Sequence, residues 1–142
     1  MGYSLRLKIV RIFLGGTGLF LLFWWPLSHW FYPDTYHQLL GFEAGSYQDN
    51  MVKVIGTTGL VPVLLLFFSA ADPVRNRHMV MILIAFSALM AMTYVYLITS
   101  GQFPVLEFTN VGLSVFTALF LTLLYPWRGD ISAEATGVPA GP

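Results

Sequence analysis

Hydrophobic residues fall into four long runs separated by short polar stretches. They cover about Ile9 to Trp30, Met51 to Ala70, Met79 to Ile98 and Phe108 to Tyr125. Each run approaches the ~20 apolar residues that a helix needs to cross a hydrocarbon core of ~30 Å. Barrel strands would be ~10 residues long and alternate apolar with polar positions, which these runs do not. The pattern therefore predicts an all-α integral membrane protein, a bundle of four transmembrane helices over residues 1–128, with a flexible tail over 129–142. The first run follows Arg6, Lys8 and Arg11 like the core of a signal peptide. It is too long for one and no A-x-A cleavage site follows, so it reads as a retained helix.

Breakers divide the runs. Between about Phe31 and Asn50, Pro33-Asp34 precedes Tyr36, Leu39 and Leu40, which share one helical face. This predicts a short helix lying in the membrane interface, started by proline in its first turn. Gly41 and Gly45 bracket an irregular piece, GFEAGSYQD. The segment AADPVRNRH turns at Pro73, and TSGQFPVLE is broken by Gly101 and Pro104. The tail GDISAEATGVPAGP is poor in apolar residues and is expected to lack fixed structure by itself.

Two pieces of sequence echo each other, GGTGLF from Gly15 and GTTGLV from Gly56. An inverted repeat of this kind can mark a transporter-like site between two halves. The simpler reading is that Gly15, Gly18, Gly56 and Gly59 let helix backbones approach, since close packing of small residues is what holds helices together in lipid. Pro62 leaves a carbonyl without its donor and should kink the second helix, either to shape a cavity or simply to pack.

Composition sharpens the picture. Of the 142 residues 56% are hydrophobic and 10% charged, where a soluble domain carries about 25% charged residues. Mean hydropathy is +0.70. Net charge is zero, so no basic field exists to hold nucleic acid. The absence of cysteine removes disulfides, thiolate metal sites, Fe–S clusters and covalently attached haem. Six of the seven Lys and Arg residues fall before or at the very start of the first run, between the second and third, or after the fourth. The exception, Lys53, can snorkel from the start of the second helix. The positive-inside rule then predicts a bacterial inner-membrane protein, multi-pass, with both termini in the cytoplasm.

Chemistry within the membrane is sparse. The central parts of the four runs hold no ionisable side chain other than tyrosine, whereas pumps, ion transporters and intramembrane proteases keep such groups at depth. This predicts a chain that is not itself an enzyme. One stretch gathers polar groups, FWWPLSHWFYPDTYHQLLGF from Phe23. His29, His37, Asp34 and the more distant Glu107 are ligand types suited to zinc, iron or copper. The spacing of the histidines across a proline break matches no standard motif, and no metal site is assigned. His29 could bind a tetrapyrrole, although bulky Trp25 stands one turn before it. Against both stands a membrane exit. Trp24, Trp25, Trp30, Tyr32 and Tyr36 form an aromatic belt at headgroup level, matched by Tyr125 and Trp127 at the other end. Those tryptophans are also the expected membrane-interface or partner contacts. His78, beside Arg75 and Arg77, suits lipid phosphates, and Glu107 suits the positive end of the fourth helix.

Taken with this topology, RIFLGGTGLFLLFWW from Arg11 and WFYPDTYHQLLGF from Trp30 resemble the small four-helix inner-membrane proteins of the biphenyl-operon X-like group and the wider DoxX-like assemblage. The resemblance implies a four-helix bundle and a quinone or redox link, with no catalytic motif to carry over. The leading expectation is an accessory or structural subunit that packs against other integral membrane subunits and needs no cofactor. One alternative is a protein that binds a quinone or a pigment between its helices. His29, His37, Tyr32 and Tyr36 would be the polar contacts there, with Pro62 helping to open the pocket. The other is a small carrier for a hydrophobic compound.

Overall fold

Backbone hydrogen bonding, rather than apolar content, decides where the first helix begins. In the computed structural model, which describes residues 2–43, 45 and 48–127, α1 runs over Tyr3–Phe31. It starts before the apolar run because Arg6 and Lys8 are good helix formers and need not face lipid. At 29 residues it is about 44 Å long, more than a hydrocarbon core requires. A short helix, α2, follows at Pro33–Leu39. Then come α3 at Asp49–Ala71, α4 at Arg77–Thr99 and α5 at Val105–Leu124. All regular structure among the described residues is helical, and these four long helices are long and apolar enough to cross a membrane. Arg128 and the tail 129–142 lie outside the described residues.

Helices adjacent in sequence are adjacent in space. α1 packs along α3, α3 along α4 and α4 along α5, while α5 and α1 meet at few points. At the end of the bundle that holds residue 3, Val10, Leu14, Leu66, Val80, Leu121 and Tyr125 form a fully enclosed core. The Tyr125 hydroxyl donates to the Pro73 carbonyl at 2.8 Å and so ties the end of α5 to the α3–α4 turn. Trp127 continues this closure, its indole N–H on the Thr122 carbonyl and its ring 5.7 Å from the Arg77 guanidinium.

Both members of the α1–α3 pair are broken by proline, each in a different way. In α1, Pro26 has no N–H to give, and the chain accommodates it with one π-helical turn over Phe23–Leu27 before resuming at Ser28. The helix does not end there. Ser28 Oγ donates to the Trp24 carbonyl at 2.7 Å, and His29 Nδ1 lies 2.8 Å from the Trp25 carbonyl, so side chains serve carbonyls in the disturbed turn. In α3, Pro62 deprives the Thr58 carbonyl of its donor. The helix is interrupted at Gly59, between Asp49–Thr58 and Leu60–Ala71.

The two breaks face each other. Gly15 lies opposite Ala70, Gly18 opposite Leu66 and Phe67, Gly59 opposite Trp25, and Gly56 opposite His29. One antiparallel register therefore runs through both interruptions. The two glycine segments sit at opposite ends of this interface and do not pack on each other, which fits close approach of backbones. A methyl at Gly59 would stand 2.9 Å from the Trp25 indole, and one at Gly56 would stand 2.8 Å from the His29 Cβ. Gly59→Ala is therefore expected to destabilise the folded protein in mild detergent by about 1–3 kcal/mol. Gly16→Ala, whose Cβ meets nothing within 4 Å, should be neutral or stabilising by up to about 1 kcal/mol. Reversible unfolding of the two variants side by side checks both signs.

Candidate functional site

Between the fully packed end and α2, the four long helices surround a cavity of about 380 Å³. Its walls follow helical spacing. Asn110, Leu113, Ser114 and Thr117 line it from one face of α5, and Leu83, Ser87, Met90 and Tyr94 from one face of α4. α1 contributes Thr17, Leu21 and Trp24, and α3 contributes Pro62 and Leu66. Pro62 thus stands in the wall, and the interruption it causes lies beside the cavity.

A polar junction caps the cavity at the α2 end. The Trp24 indole N–H donates to Asn110 Oδ1 at 2.9 Å, joining α1 to α5. An indole can only donate, so the amide oxygen must face it, and the amide nitrogen then donates to Glu107 Oε2. Glu107 is 4% exposed. Its carboxyl is held by a side chain one turn on and makes no capping bond to the backbone of α5. The Tyr36 hydroxyl comes within reach of the same Asn110, and Tyr36 and Tyr94 both lie near Glu107.

Aromatic rings seal this end. Tyr36 stands edge-on to Trp24 at 5.5 Å and lies 4.6 Å from His29, and His37 stands edge-on to Phe42 at 5.5 Å. Phe42 meets Phe103 at 5.3 Å, and Phe103 meets Tyr94 at 5.9 Å. The local chain makes this closure possible. Gly41 ends α2 at φ +87°, where other residues are strained, and the Phe42 N–H returns to the His37 carbonyl at 3.0 Å. That turn lays Gly41 against Pro104 and Leu106 of the α4–α5 connection, 3.3–3.4 Å from where a Cβ would sit.

The expected contacts separate into three groups. Tyr36 lines the cavity. His29 and His37 lie behind it, 5.3 Å apart, each with Nδ1 against the carbonyl four residues earlier, Trp25 at 2.8 Å and Pro33 at 2.7 Å. Their Nδ1 atoms therefore carry hydrogen and serve their own helices. Tyr32 is 68% exposed and points away. Of the tryptophans, Trp24 and Trp25 line the cavity, Trp30 is exposed and donates to Thr57 Oγ1 at 3.1 Å, and Trp127 belongs to the opposite end. Among the described residues no three of His, Cys, Asp or Glu come together as a metal-ligand group would.

Sequence reasoning passed over Asn110, Tyr94 and the cavity-facing hydroxyls. The signal was the spacing of Asn110, Ser114 and Thr117 and that of Ser87 and Tyr94, each on one helical face. These hydroxyls differ from those on the outer surface. Thr57, Thr58, Thr93, Thr99 and Thr122 donate to carbonyls of their own helices at 2.7–2.9 Å. Thr17, Ser87, Tyr94, Ser114 and Thr117 line the cavity and make no hydrogen bond to another described residue. Ser87 is only 8% exposed, so its hydroxyl faces little besides the cavity.

Comparison with protein families, with curated proteins and with solved structures returns no match. The site must be read from its own geometry.

Two outcomes follow from that geometry. Asn110→Ala leaves the Trp24 N–H and the buried Glu107 without their partner and should cost about 2–3 kcal/mol of stability. Asn110→Gln cannot place its amide one methylene further out without moving Trp24, and should restore only part. Thermal unfolding in detergent, with Trp24→Phe as the companion variant, measures the junction. Burial pushes the Tyr36 phenol above its usual range, and Tyr94 and Glu107 beside it add to the rise. Since the neutral form is favoured on folding, this contribution is complete below the unfolded value of about 10 and is lost as pH rises beyond it. Alkaline unfolding should be shallower in Tyr36→Phe than in the parent protein.

Proposed function

We propose that this chain is a four-pass protein of a bacterial inner membrane, with both termini cytoplasmic, that holds an uncharged lipid-soluble molecule inside its bundle. The observation that supports this reading is the set of cavity-facing hydroxyls that bond to no other described residue. A hydroxyl facing an apolar space without a hydrogen bond costs free energy. Ser28 and the outer-surface threonines Thr57, Thr58, Thr93, Thr99 and Thr122 avoid that cost by bonding to their own backbone, as helical hydroxyls readily do, and away from the cavity the buried Ser69 hydroxyl is the exception. Groups that forgo the local bond are arranged as they would be to meet oxygens of an occupant. A cavity of about 380 Å³ falls within the range of small-molecule sites.

The orientation rests on the distribution of Lys and Arg, and it puts α2 and the polar junction at the periplasmic side. α2 would lie in the interface there, with Leu39 exposed toward lipid. The expected link to a quinone remains the best chemical example of an occupant, with Tyr36, Tyr94 and Asn110 as its polar contacts in place of the histidines. The accessory-subunit expectation draws on the broad apolar and aromatic surface. Lipid alone accounts for that surface, so no residue favours a partner chain over the bilayer.

Purification from bacterial membranes in mild detergent, followed by extraction and mass spectrometry, tests the reading. A neutral lipophile should accompany the protein in near-equal amount and be reduced severalfold in Tyr94→Phe combined with Ser87→Ala. Recovery of bulk phospholipid alone, in amounts unchanged by the substitutions, would overturn it. Stoichiometric co-purification of other membrane proteins without such a molecule would return the accessory subunit to first place.

A further inference from the structure

The cavity has closed ends and an open side. Toward α2 it is covered by the chain of rings from Trp24 through Tyr36 and His37 to Phe42 and Phe103. At the opposite end Leu14, Leu66 and Leu121 are fully enclosed, and Phe13 stacks on Phe120 with centroids 3.9 Å apart. α1 and α5 are thus joined at two levels, by the Phe13–Phe120 stack and by the Trp24–Asn110 hydrogen bond at 2.9 Å.

Between those levels the ring contact across the seam among the described residues is the edge-on meeting of Phe116 with Phe13, centroids 5.9 Å apart, and beyond it the seam is loosely closed. Phe20 and Phe116 line the cavity, yet they are 46% and 57% exposed on the outer surface. Residues that belong to both surfaces form the rim of an opening. Gly16 lies on this rim, and a Cβ built on it meets nothing within 4 Å. Gly18 carries Phe67 and Leu66 close against it, but no packing neighbour explains a glycine at position 16. A shallow groove continues from the opening along the outside of α1, over Gly16, Leu19, Phe20, Phe23 and Trp24.

We propose that the gap between α1 and α5 is a side portal through which a single-tailed neutral lipid enters from the bilayer. Its ring-bearing head enters the cavity and its aliphatic tail stays in the groove on α1. This rests on the proposed function and adds the route and the shape of the occupant. Three features select that class. The walls are rich in aromatic faces, with Phe13, Phe20, Trp24, Phe86 and Phe116 among them, which suits a flat ring. Among the described residues no Lys or Arg lines the cavity, so a phosphate or a fatty acid would lack a counter-charge there. The groove on α1 is apolar and lined by residues of that one helix, along which a single aliphatic chain can lie.

Stopped-flow quenching of Trp24 and Trp25 fluorescence in nanodiscs tests the portal, with a decyl-substituted benzoquinone as probe. The tailless benzoquinone and stearic acid serve as comparisons. The parent protein should show saturable quenching by the decyl probe, weaker binding of the tailless ring and none by stearic acid. Gly16→Phe fills the opening from α1, and Leu113→Phe narrows it from α5. Each should slow association about tenfold or more while leaving the unfolding temperature near that of the parent. Either variant alone suffices if the other fails to fold. Saturable quenching in the parent with unchanged association in a folded variant would refute the portal and leave the ligand-binding reading standing. Absence of saturable quenching by every probe in the parent would remove both. Equal binding with and without the tail would overturn the groove.

Discussion

The close approach of α1 to α3 is the constraint on which the rest of this structure depends. Helices in lipid gain little from apolar contact as such, because the tails they leave are as apolar as the residues they meet. What remains is tight van der Waals fit. Here it is made by Gly18 against Leu66 and Phe67, and by Trp25 and His29 against Gly59 and Gly56. Two proline interruptions would normally spoil such a fit. Because the π turn of α1 and the break of α3 occur at the same level, the register on one side of the interruptions is the register on the other.

That pairing also explains why a cavity exists. α1 is committed to α3, and α5 to α4, so the fourth seam, between α1 and α5, is left loosely closed. Large rings at Phe13 and Phe120 and the polar Trp24–Asn110 bond hold it at two levels. Small side chains at Gly16, Thr17, Ser114 and Thr117 occupy the stretch between. A bundle with leucine at those positions would fill its own centre. The same loose seam therefore gives both the space inside and the route to it.

Much of the architecture was legible because its causes are local. Run length and breakers give four long helices and a short one after Pro33, and Gly56, Gly59 and Pro62 are where backbone approach and interruption were expected. The site was legible only in part. Trp24, Trp25, Tyr36 and Pro62 were singled out for reasons of membrane depth or helix geometry, and the cavity gathers all four. The histidines attracted notice as ligand types, yet their Nδ1 atoms serve the backbone of a proline-disturbed turn and of a short helix. Asn110 and Tyr94 carry no ligand-type or breaker signal and so attracted no expectation. Whether a helical polar group bonds locally or faces a cavity depends on which neighbour stands across from it, and single-helix reasoning does not contain that neighbour.

The distinction between the two kinds of hydroxyl is also what separates a cavity from a packing defect. A defect between helices is lined by whatever the packing leaves there, and in lipid that is overwhelmingly aliphatic. Five hydroxyl-bearing residues from α1, α4 and α5 converge on one space here, while the outward-facing Thr57, Thr93 and Thr122 bond to their own carbonyls. Ser87 is buried and lines the cavity, although its own helix offers a carbonyl four residues back; Ser69, buried away from the cavity, also forgoes its own carbonyl, so one such serine alone decides nothing. The convergence of five such groups on one space, and not any single hydroxyl, is what supports the proposed ligand over helix packing alone.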